Sequence, residues 1–317
     1  GEHTYAEVQR RANRFAGVLR AAGVEPEQRV LIAMNDGLDW VAAFFGALKL
    51  GAAVVMANPG LKKEEIEYFL EYTRAKVVVT EQGAAALFRE AGAAVSTLRE
   101  VMVSGEASLL QRLEAASDAF ETFRTHRDDA AIWLFSGGTT GRPKGVVQTH
   151  RSFINTTELY AKGAMGYAET DITLSVPKLF FGYATGSNLI FPFSVGATAI
   201  LFSEKCTPEA LFALIAKHRP TILINVPTMV HQMTSHPKAQ AQGLGCLRAT
   251  TSAGEALSEE LYRRWQTLFG VPLLDGLGTA EMWHIFLTNT FTNVRPGSLG
   301  LPVPGFDVRV CDDDGHE

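Results

Sequence analysis

Short apolar, β-branched runs alternate along this chain with longer amphipathic ones, and that alternation limits its fold more than any other feature. Val30 to Ala33 precedes Trp40 to Leu50, Ala52 to Met56 precedes Lys63 to Tyr72, and Val77 to Thr80 precedes Ala84 to Ala91. This order predicts repeated βα units around a largely parallel sheet. A second series begins after Arg127-Asp128-Asp129, with strands expected at Ala131 to Phe135, Ile172 to Val176, Thr198 to Phe202, Ile222 to Asn225, Leu247 to Thr251 and Pro272 to Leu274. Helices such as Pro208 to His218 and Ser258 to Phe269 fall between them. The expected fold class is α/β, with two α/β subdomains whose largely parallel sheets share an interface. The first would span residues 1–190 and the second 191–317, with the boundary between Thr170 and Thr207.

A chain of 317 residues that is 46% hydrophobic can bury a core large enough for either arrangement. Its net charge of -5 comes from interspersed charges of both signs, so no basic stripe offers itself to nucleic acid. Cys206, Cys246 and Cys311 are odd in number, far apart and without CxxC spacing, which fits free thiols in a reducing cytoplasm. Leu179 to Phe202 carries no charged residue and is long enough to cross a bilayer. Gly182, Gly186, Asn188, Pro192 and Gly196 interrupt it, so a buried helix followed by a core strand is expected, and no membrane association. The opening Gly1-Glu2-His3-Thr4-Tyr5 shows no secretory or transit pattern.

The strongest local signal is Ser136-Gly137-Gly138-Thr139-Thr140-Gly141-Arg142-Pro143-Lys144-Gly145, directly behind the apolar run Ala131 to Phe135. Glycines let backbone N–H groups approach an anion, the three hydroxyls add donors, and Lys144 adds a positive charge, so the segment reads as a polyphosphate cradle. It is not a Walker A loop, because Pro143 separates Gly141-Arg142 from Lys144 and no Gly-Lys-Ser/Thr opens a helix. The competing reading, a flexible Gly/Thr-rich surface turn, does not account for ten such residues behind a buried strand.

This segment resembles the signature of the adenylate-forming superfamily of acyl-CoA synthetases, peptide-synthetase adenylation domains and luciferases. Other stretches agree in order. Thr251-Ser252-Ala253-Gly254-Glu255-Ala256-Leu257 resembles the motif lying against the purine, and Asp275-Gly276-Leu277-Gly278-Thr279-Ala280-Glu281 the motif whose glutamate holds magnesium. Pro296-Gly297-Ser298-Leu299-Gly300-Leu301-Pro302 resembles the stretch that closes the large N-terminal domain. Within the superfamily the chain is most similar to the benzoate and 2-aminobenzoate CoA ligases, through Lys178-Leu179-Phe180-Phe181-Gly182-Tyr183, Ser194-Val195-Gly196-Ala197-Thr198 and Glu281-Met282-Trp283-His284-Ile285-Phe286.

The resemblance implies an enzyme that uses ATP and Mg2+ to activate an aromatic carboxylic acid as its adenylate, then passes the acyl group to coenzyme A. The alternatives are an adenylation domain that loads a carrier protein and a nucleotide-binding module without catalysis. Lys144, Glu281 and Thr279 would be catalytic, with Glu281 the metal ligand. Ser136, Gly137, Gly138, Thr139, Thr140, Gly141 and Lys144 would bind the nucleotide phosphates. Ala253, Gly254, Glu255, Asp275, Gly276, Leu277, Gly278 and Thr279 would bind the rest of the nucleotide. Phe181, Gly182, Tyr183, Gly186, Ser252, Gly278, His284 and Ile285 would line the acid pocket, with Gly182 leaving room for an ortho substituent such as an amino group.

Three departures from the family pattern stand out. Ala280 occupies the position where relatives place a threonine that contacts the α-phosphate; Thr279 is adjacent, but its side chain would point elsewhere if the segment is extended. Phe180-Phe181-Gly182-Tyr183 replaces a segment that carries a histidine in many relatives, a change shared with the benzoate branch. The chain ends at Asp313-Asp314-Gly315-His316-Glu317, without the mobile C-terminal domain and its lysine that full relatives carry. Amino-acid activators place an Asp in the pocket to pair the substrate ammonium, whereas the matched positions here are Phe181, Gly182 and Tyr183.

Overall fold

The structure is a computed structural model that describes residues 1–137 and 141–317. The chain divides into two compact units: Gly1–Arg151 with Phe202–Glu204, and Ser152–Leu201 with Lys205–Glu317. The division after Arg151 precedes the expected 170–207 window, so the segment from Ser152 to Thr170 belongs to the second unit.

In the first unit, α1 (Tyr5–Ala21) is followed by β1 (Arg29–Ala33), α2 (Leu38–Lys49), β2 (Ala53–Met56), α3 (Lys63–Thr73), β3 (Val77–Glu81), α4 (Gln82–Gly92), β4 (Glu100–Ser104), α5 (Ala107–Ala115), β5 (Ala130–Ser136) and β6 (Lys144–Thr149). The sheet runs β4-β3-β1-β2-β5-β6, parallel except for the last, antiparallel pair. The central strands are buried along almost their whole length because helices cover both faces, which is why they are apolar at every position rather than at alternate ones. Leu31, Val55, Ile66, Leu70, Val78 and Phe88 form the core of this unit. The first helix went unrecognised in the sequence although its start is signalled. Glu7 N–H donates to Thr4 Oγ1 at 3.3 Å and Thr4 N–H to Glu7 Oε2 at 2.7 Å, a reciprocal capping box.

At the start of the second unit, α6 (His150–Thr156) runs directly into a π-helical segment, Thr157–Ala164. There follow β7 (Ile172–Ser175), α7 (Gly182–Thr185), a second π-helical segment Gly186–Ile190, α8 (Phe191–Ser194), β8 (Thr198–Ile200), α9 (Pro208–His218), β9 (Ile222–Asn225), α10 (Pro227–Ser235), β10 (Ala249–Ser252), α11 (Glu259–Phe269), β11 (Leu273–Gly278), β12 (Ile285–Thr288) and β13 (Leu301–Pro302). The uncharged stretch Leu179 to Phe202 is therefore one short, interrupted helix and an edge strand. Among the described residues no helix is long and apolar enough to cross a membrane.

The second sheet runs β13-β12-β11-β10-β9-β7-β8; β7 to β11 are parallel and β12 and β13 complete it antiparallel. One ionic cluster clasps the N-terminal ends of its central strands. Arg248, just before β10, forks onto Asp171, just before β7, with Nε 2.7 Å from Oδ1 and Nη2 2.8 Å from Oδ2. Thr221, just before β9, donates its hydroxyl to the same Oδ1 at 2.7 Å. Arg248 also donates to the Met165 and Gly166 carbonyls, both at 3.1 Å, and so ties the end of the first π-helical segment to the sheet. Burial pushes the Asp171 carboxyl up, but the bonds from Arg248, Thr221 and the Ala168 N–H outweigh it and hold it below its ordinary value.

Arg248→Met leaves a buried carboxylate without its bidentate partner and should lower stability by about 2–4 kcal/mol in urea unfolding. Arg248→Lys should recover less than half of that, because an ammonium cannot reproduce the fork.

Candidate active site

The described flanks of the Gly/Thr-rich segment belong to the antiparallel pair β5–β6 of the first unit. Ser136 and Lys144 face each other as its last antiparallel pair. A strand, β6, rather than a helix follows this segment. Gly138, Thr139 and Thr140 lie outside the described residues. Gly137, Gly141 and Lys144 are exposed, and Gly141 has a φ of +90°, a conformation glycine adopts without strain. The base of the hairpin is fixed to α3, since Tyr68 donates its hydroxyl to the Pro143 carbonyl at 2.9 Å and the Arg142 guanidinium lies 5.4 Å over the Tyr68 ring.

In the second unit Ser252, Ala253 and the stretch from Asp275 to Thr279 lie at the C-terminal ends of β10 and β11, where open parallel sheets offer their binding crevices. Ser252 and Asp275 are register partners, and both are buried. Burial raises the Asp275 carboxyl to about 6, against the opposing pull of the Ser252 hydroxyl and the Gly276 N–H. That approach falls short of full bonding geometry, since Ser252 Oγ and Asp275 Oδ1 have no hydrogen-bond partner, and neither do Trp283 Nε1 and His284 Nδ1. Orphaned buried polar atoms are costly and uncommon. Four of them lie along the ends of β10 and β11 and the turn that leads into β12.

Beyond β10, Ala253 is buried while Gly254 and Glu255 are exposed. The Glu255 carboxylate accepts from Thr228 N–H at 3.1 Å and from the Thr228 hydroxyl at 2.6 Å, so it caps the N-terminus of α10. Gly276, Leu277 and Gly278 end β11, with a register shift between Leu277 and Gly278. A Cβ at Gly278 would lie 2.7 Å from the His284 carbonyl oxygen, so only glycine lets β12 approach this closely.

Thr279 to Trp283 is not extended, so the orientation that an extended segment would give Thr279 does not apply. Met282 N–H donates to Thr279 Oγ1 at 3.2 Å and Trp283 N–H to the Ala280 carbonyl at 3.1 Å, closing a turn that carries Glu281 on its exposed side. Trp283, which sequence reasoning passed over, is buried with a left-handed φ of +69°. Such a conformation is strained for a bulky residue and tends to occur at ligand sites. It swings the chain so that His284 turns inward where Glu281 faces out.

His284 is buried among Tyr160, Tyr183 and Phe191, with ring centroids 5.3, 5.5 and 4.7 Å away. Burial draws its pKa down to about 3, so the ring is neutral at physiological pH. Its Nε2 lies 3.1 Å from the Tyr183 carbonyl and 3.1 Å from Ser187 Oγ. A Cβ at Gly186 would fall 2.7 Å from that same Nε2, so the ring fits only because this position has no side chain. Tyr183 shares a 2.6 Å hydrogen bond between its hydroxyl and Thr251 Oγ1. Ile285 is buried beside these groups in the core of the unit. Thus Tyr183, Gly186, His284 and Ile285 lie together. Gly182 opens α7, and the mostly exposed Phe181 packs its ring against Phe180 at 4.7 Å. Ser187 and Tyr160 were not anticipated, because nothing in the sequence marks a π-helical segment.

Residues 1–317 match the AMP-binding enzyme family. A benzoate–CoA ligase of Thauera aromatica is 44% identical, over all of this chain and 61% of that protein. An anthranilate–CoA ligase of Pseudomonas aeruginosa is 30% identical, over 92% of this chain and 56% of that protein. Among solved structures, the anthranilate CoA ligase AuaEII in complex with anthranoyl-AMP superposes with a TM-score of 0.94 at 34% identity, over 98% of this chain and 60% of that one. A benzoate CoA ligase from Burkholderia xenovorans LB400 superposes at 0.92 with 40% identity, over 100% of this chain and 64% of that one. The chain spans about three-fifths of the length of these relatives. With a family match along its whole length, the chain belongs to the AMP-binding enzyme family.

Proposed function

We propose that these 317 residues serve the ATP-dependent activation of an aromatic carboxylic acid, of the benzoate or 2-aminobenzoate class, followed by transfer of the acyl group to coenzyme A rather than to a carrier protein. The observation that carries this reading is the neutral, ring-lined burial of His284 beside orphaned polar atoms at the strand exits. A fatty acyl chain needs no buried imidazole, and an amino acid needs an anion for its ammonium. A ring with one polar substituent is complementary to aromatic walls and a single neutral polar group. The relatives named for benzoate and anthranilate support the same class.

In the first half-reaction a carboxylate oxygen bonds to the α-phosphorus of ATP and pyrophosphate leaves. In the second, the coenzyme A thiol, losing its proton, bonds to the acyl carbon and AMP leaves. Both anions of the first step must be brought together, so the protein's task is neutralisation and alignment. Lys144 and the N–H groups of the β5–β6 turn supply positive charge for the outer phosphates. Ala253 to Glu255 and Asp275 to Thr279 hold the nucleoside end, where Asp275 Oδ1 and Ser252 Oγ await donors and acceptors. Thr279 keeps its hydroxyl proton while accepting from Met282, and can donate it to a phosphate oxygen in place of the threonine hydroxyl that Ala280 does not provide. Glu281, a hard-oxygen ligand on an exposed turn, suits Mg2+, which when bound offsets the phosphate charge. A cytoplasmic setting agrees with the three free cysteines and with the supply of ATP and coenzyme A.

Pyrophosphate exchange into ATP tests the reading: a protein carrying this chain within its full length should support exchange with benzoate or an aminobenzoate at least about tenfold faster than with octanoate. Equal or reversed preference would reject the aryl assignment. Glu281→Gln should slow exchange on the order of 100-fold with the circular dichroism unchanged. Gly186→Ala pushes a methyl into the His284 ring and should weaken binding of an aryl-sulfamoyl adenosine by about 1–3 kcal/mol in calorimetry, while ATP binding holds.

Asp275 also yields a pH prediction. Its folded value of about 6 lies above the ordinary 3.8, so the stability tied to its neutral form is complete below about pH 3.8 and is lost as pH rises through about 6. In urea unfolding from pH 4 to 8, the wild type should lose stability relative to Asp275→Asn up to about pH 6 and run parallel to it above.

A further inference from the structure

Two adjacent residues of α3 hold the two strands that flank the Gly/Thr-rich segment. Phe69 stacks its ring on Phe135 of β5, with centroids 3.8 Å apart. Tyr68 takes the other side. Its hydroxyl donates to the Pro143 carbonyl at 2.9 Å, immediately before β6, and the Arg142 guanidinium lies 5.4 Å over its ring. One turn further along α3, Tyr72 lies against Trp133 and Phe135, with centroids 6.2 and 5.9 Å away. A Cβ at Gly145 would fall 2.8 Å from Tyr72 Cε1, so a residue without a side chain lets β6 start close against this helix.

The grip follows from the way α3 is packed. Ile66, Phe69 and Leu70 are buried in the core of the unit and fix the rotation of the helix. Tyr68 is left half-buried at the rim, where its ring is packed and its hydroxyl reaches a partner. Among the described residues the β5–β6 ladder ends at the pair Ser136 and Lys144. Pro143 has no N–H with which to extend it. Its carbonyl is bonded to Tyr68 instead, so the backbone just ahead of Lys144 is placed by α3 rather than by the sheet. A ring face holds the Arg142 guanidinium without neutralising it, so the segment keeps both of its cations.

We propose that Tyr68 is a positioning residue for the outer phosphates of ATP, because by holding the Pro143 carbonyl and the Arg142 guanidinium it fixes the backbone from which Lys144 projects. The proposal rests on the reading of Lys144 as a phosphate ligand given above, and adds to it a residue 75 positions before Pro143 that lies outside the Gly/Thr-rich motif. Without the hydroxyl the lysine keeps its charge but projects from a looser backbone, and the cost of ordering that backbone falls on nucleotide binding.

The test is calorimetric titration of the 317-residue chain with ATP and with AMP, which lacks the outer phosphates, both in the presence of Mg2+. Tyr68→Phe removes the hydroxyl and keeps the ring, and should weaken ATP binding about 2- to 12-fold while AMP binding stays unchanged. Tyr68→Leu, which also removes the ring under Arg142, should weaken ATP binding further, again without effect on AMP. A merely structural contribution would lower both affinities together or neither, so the ratio of ATP to AMP affinity separates the two roles. Lys144→Ala should reduce this ratio at least about tenfold. Adding Tyr68→Phe to Lys144→Ala should change the ratio no further, because the hydroxyl acts through Lys144. An unchanged ratio in Tyr68→Phe beside a reduced one in Lys144→Ala overturns the proposal and leaves the phosphate reading standing, and so does full additivity of the two substitutions. An unchanged ratio in Lys144→Ala defeats the phosphate reading and the positioning role with it. If Tyr68→Leu does not fold, the isosteric Tyr68→Phe decides alone.

Discussion

A single buried carboxylate sets the frame of the second unit. Asp171 receives the Arg248 fork and the Thr221 hydroxyl at the N-terminal ends of three neighbouring parallel strands, β7, β9 and β10. Register in a sheet matters because a slip of one residue turns every side chain to the opposite face. With the strands pinned at one end, Thr251, Ser252 and Asp275 emerge at the other end in fixed positions. The polar atoms left unpaired there are tolerable because satisfied polar interactions elsewhere hold the sheet together.

The same unit separates two kinds of chemistry along one short segment. Between Gly278 and Ile285 the chain turns so that Glu281 stays in water and His284 enters an aromatic cage. A hydrated carboxylate keeps its charge and can hold a hard cation. A desolvated imidazole loses its charge and becomes a directional hydrogen-bonding group. The left-handed backbone at Trp283 makes the reversal possible within two residues. Strain at that position is thus coupled to the division between a charged edge and a neutral pocket.

Much of this is legible in the residues alone. The β-branched runs at Val30, Val77 and Ile222 form strands with nearly the expected limits, and Pro208 to His218 forms a helix with the expected ends. Period and capping are local properties, and they survive in the tertiary structure. Other elements depart from expectation for physical reasons. Thr198 to Phe202 reads as one strand, but β8 stops at Ile200 and Phe202–Glu204 packs with the first unit. The α1 helix escapes notice despite its Thr4 and Glu7 capping pair. Whether Thr279 lies on an extended segment stays open in the residues alone, and two hydrogen bonds of the turn answer it.

The sequence by itself determined the fold class and the place of the Gly/Thr-rich segment directly behind an apolar strand. These follow from hydrophobic period, from proline and glycine placement, and from motifs whose residues are contiguous. Only the tertiary structure decided the charge state of His284, the elevation of Asp275 and the entry of Ser187 into the cage. A pKa depends on how much water the rest of the chain removes, and a hydrogen bond between residues 187 and 284 requires two segments 97 positions apart to meet at a fixed distance. Neither quantity is a property of any local stretch of sequence.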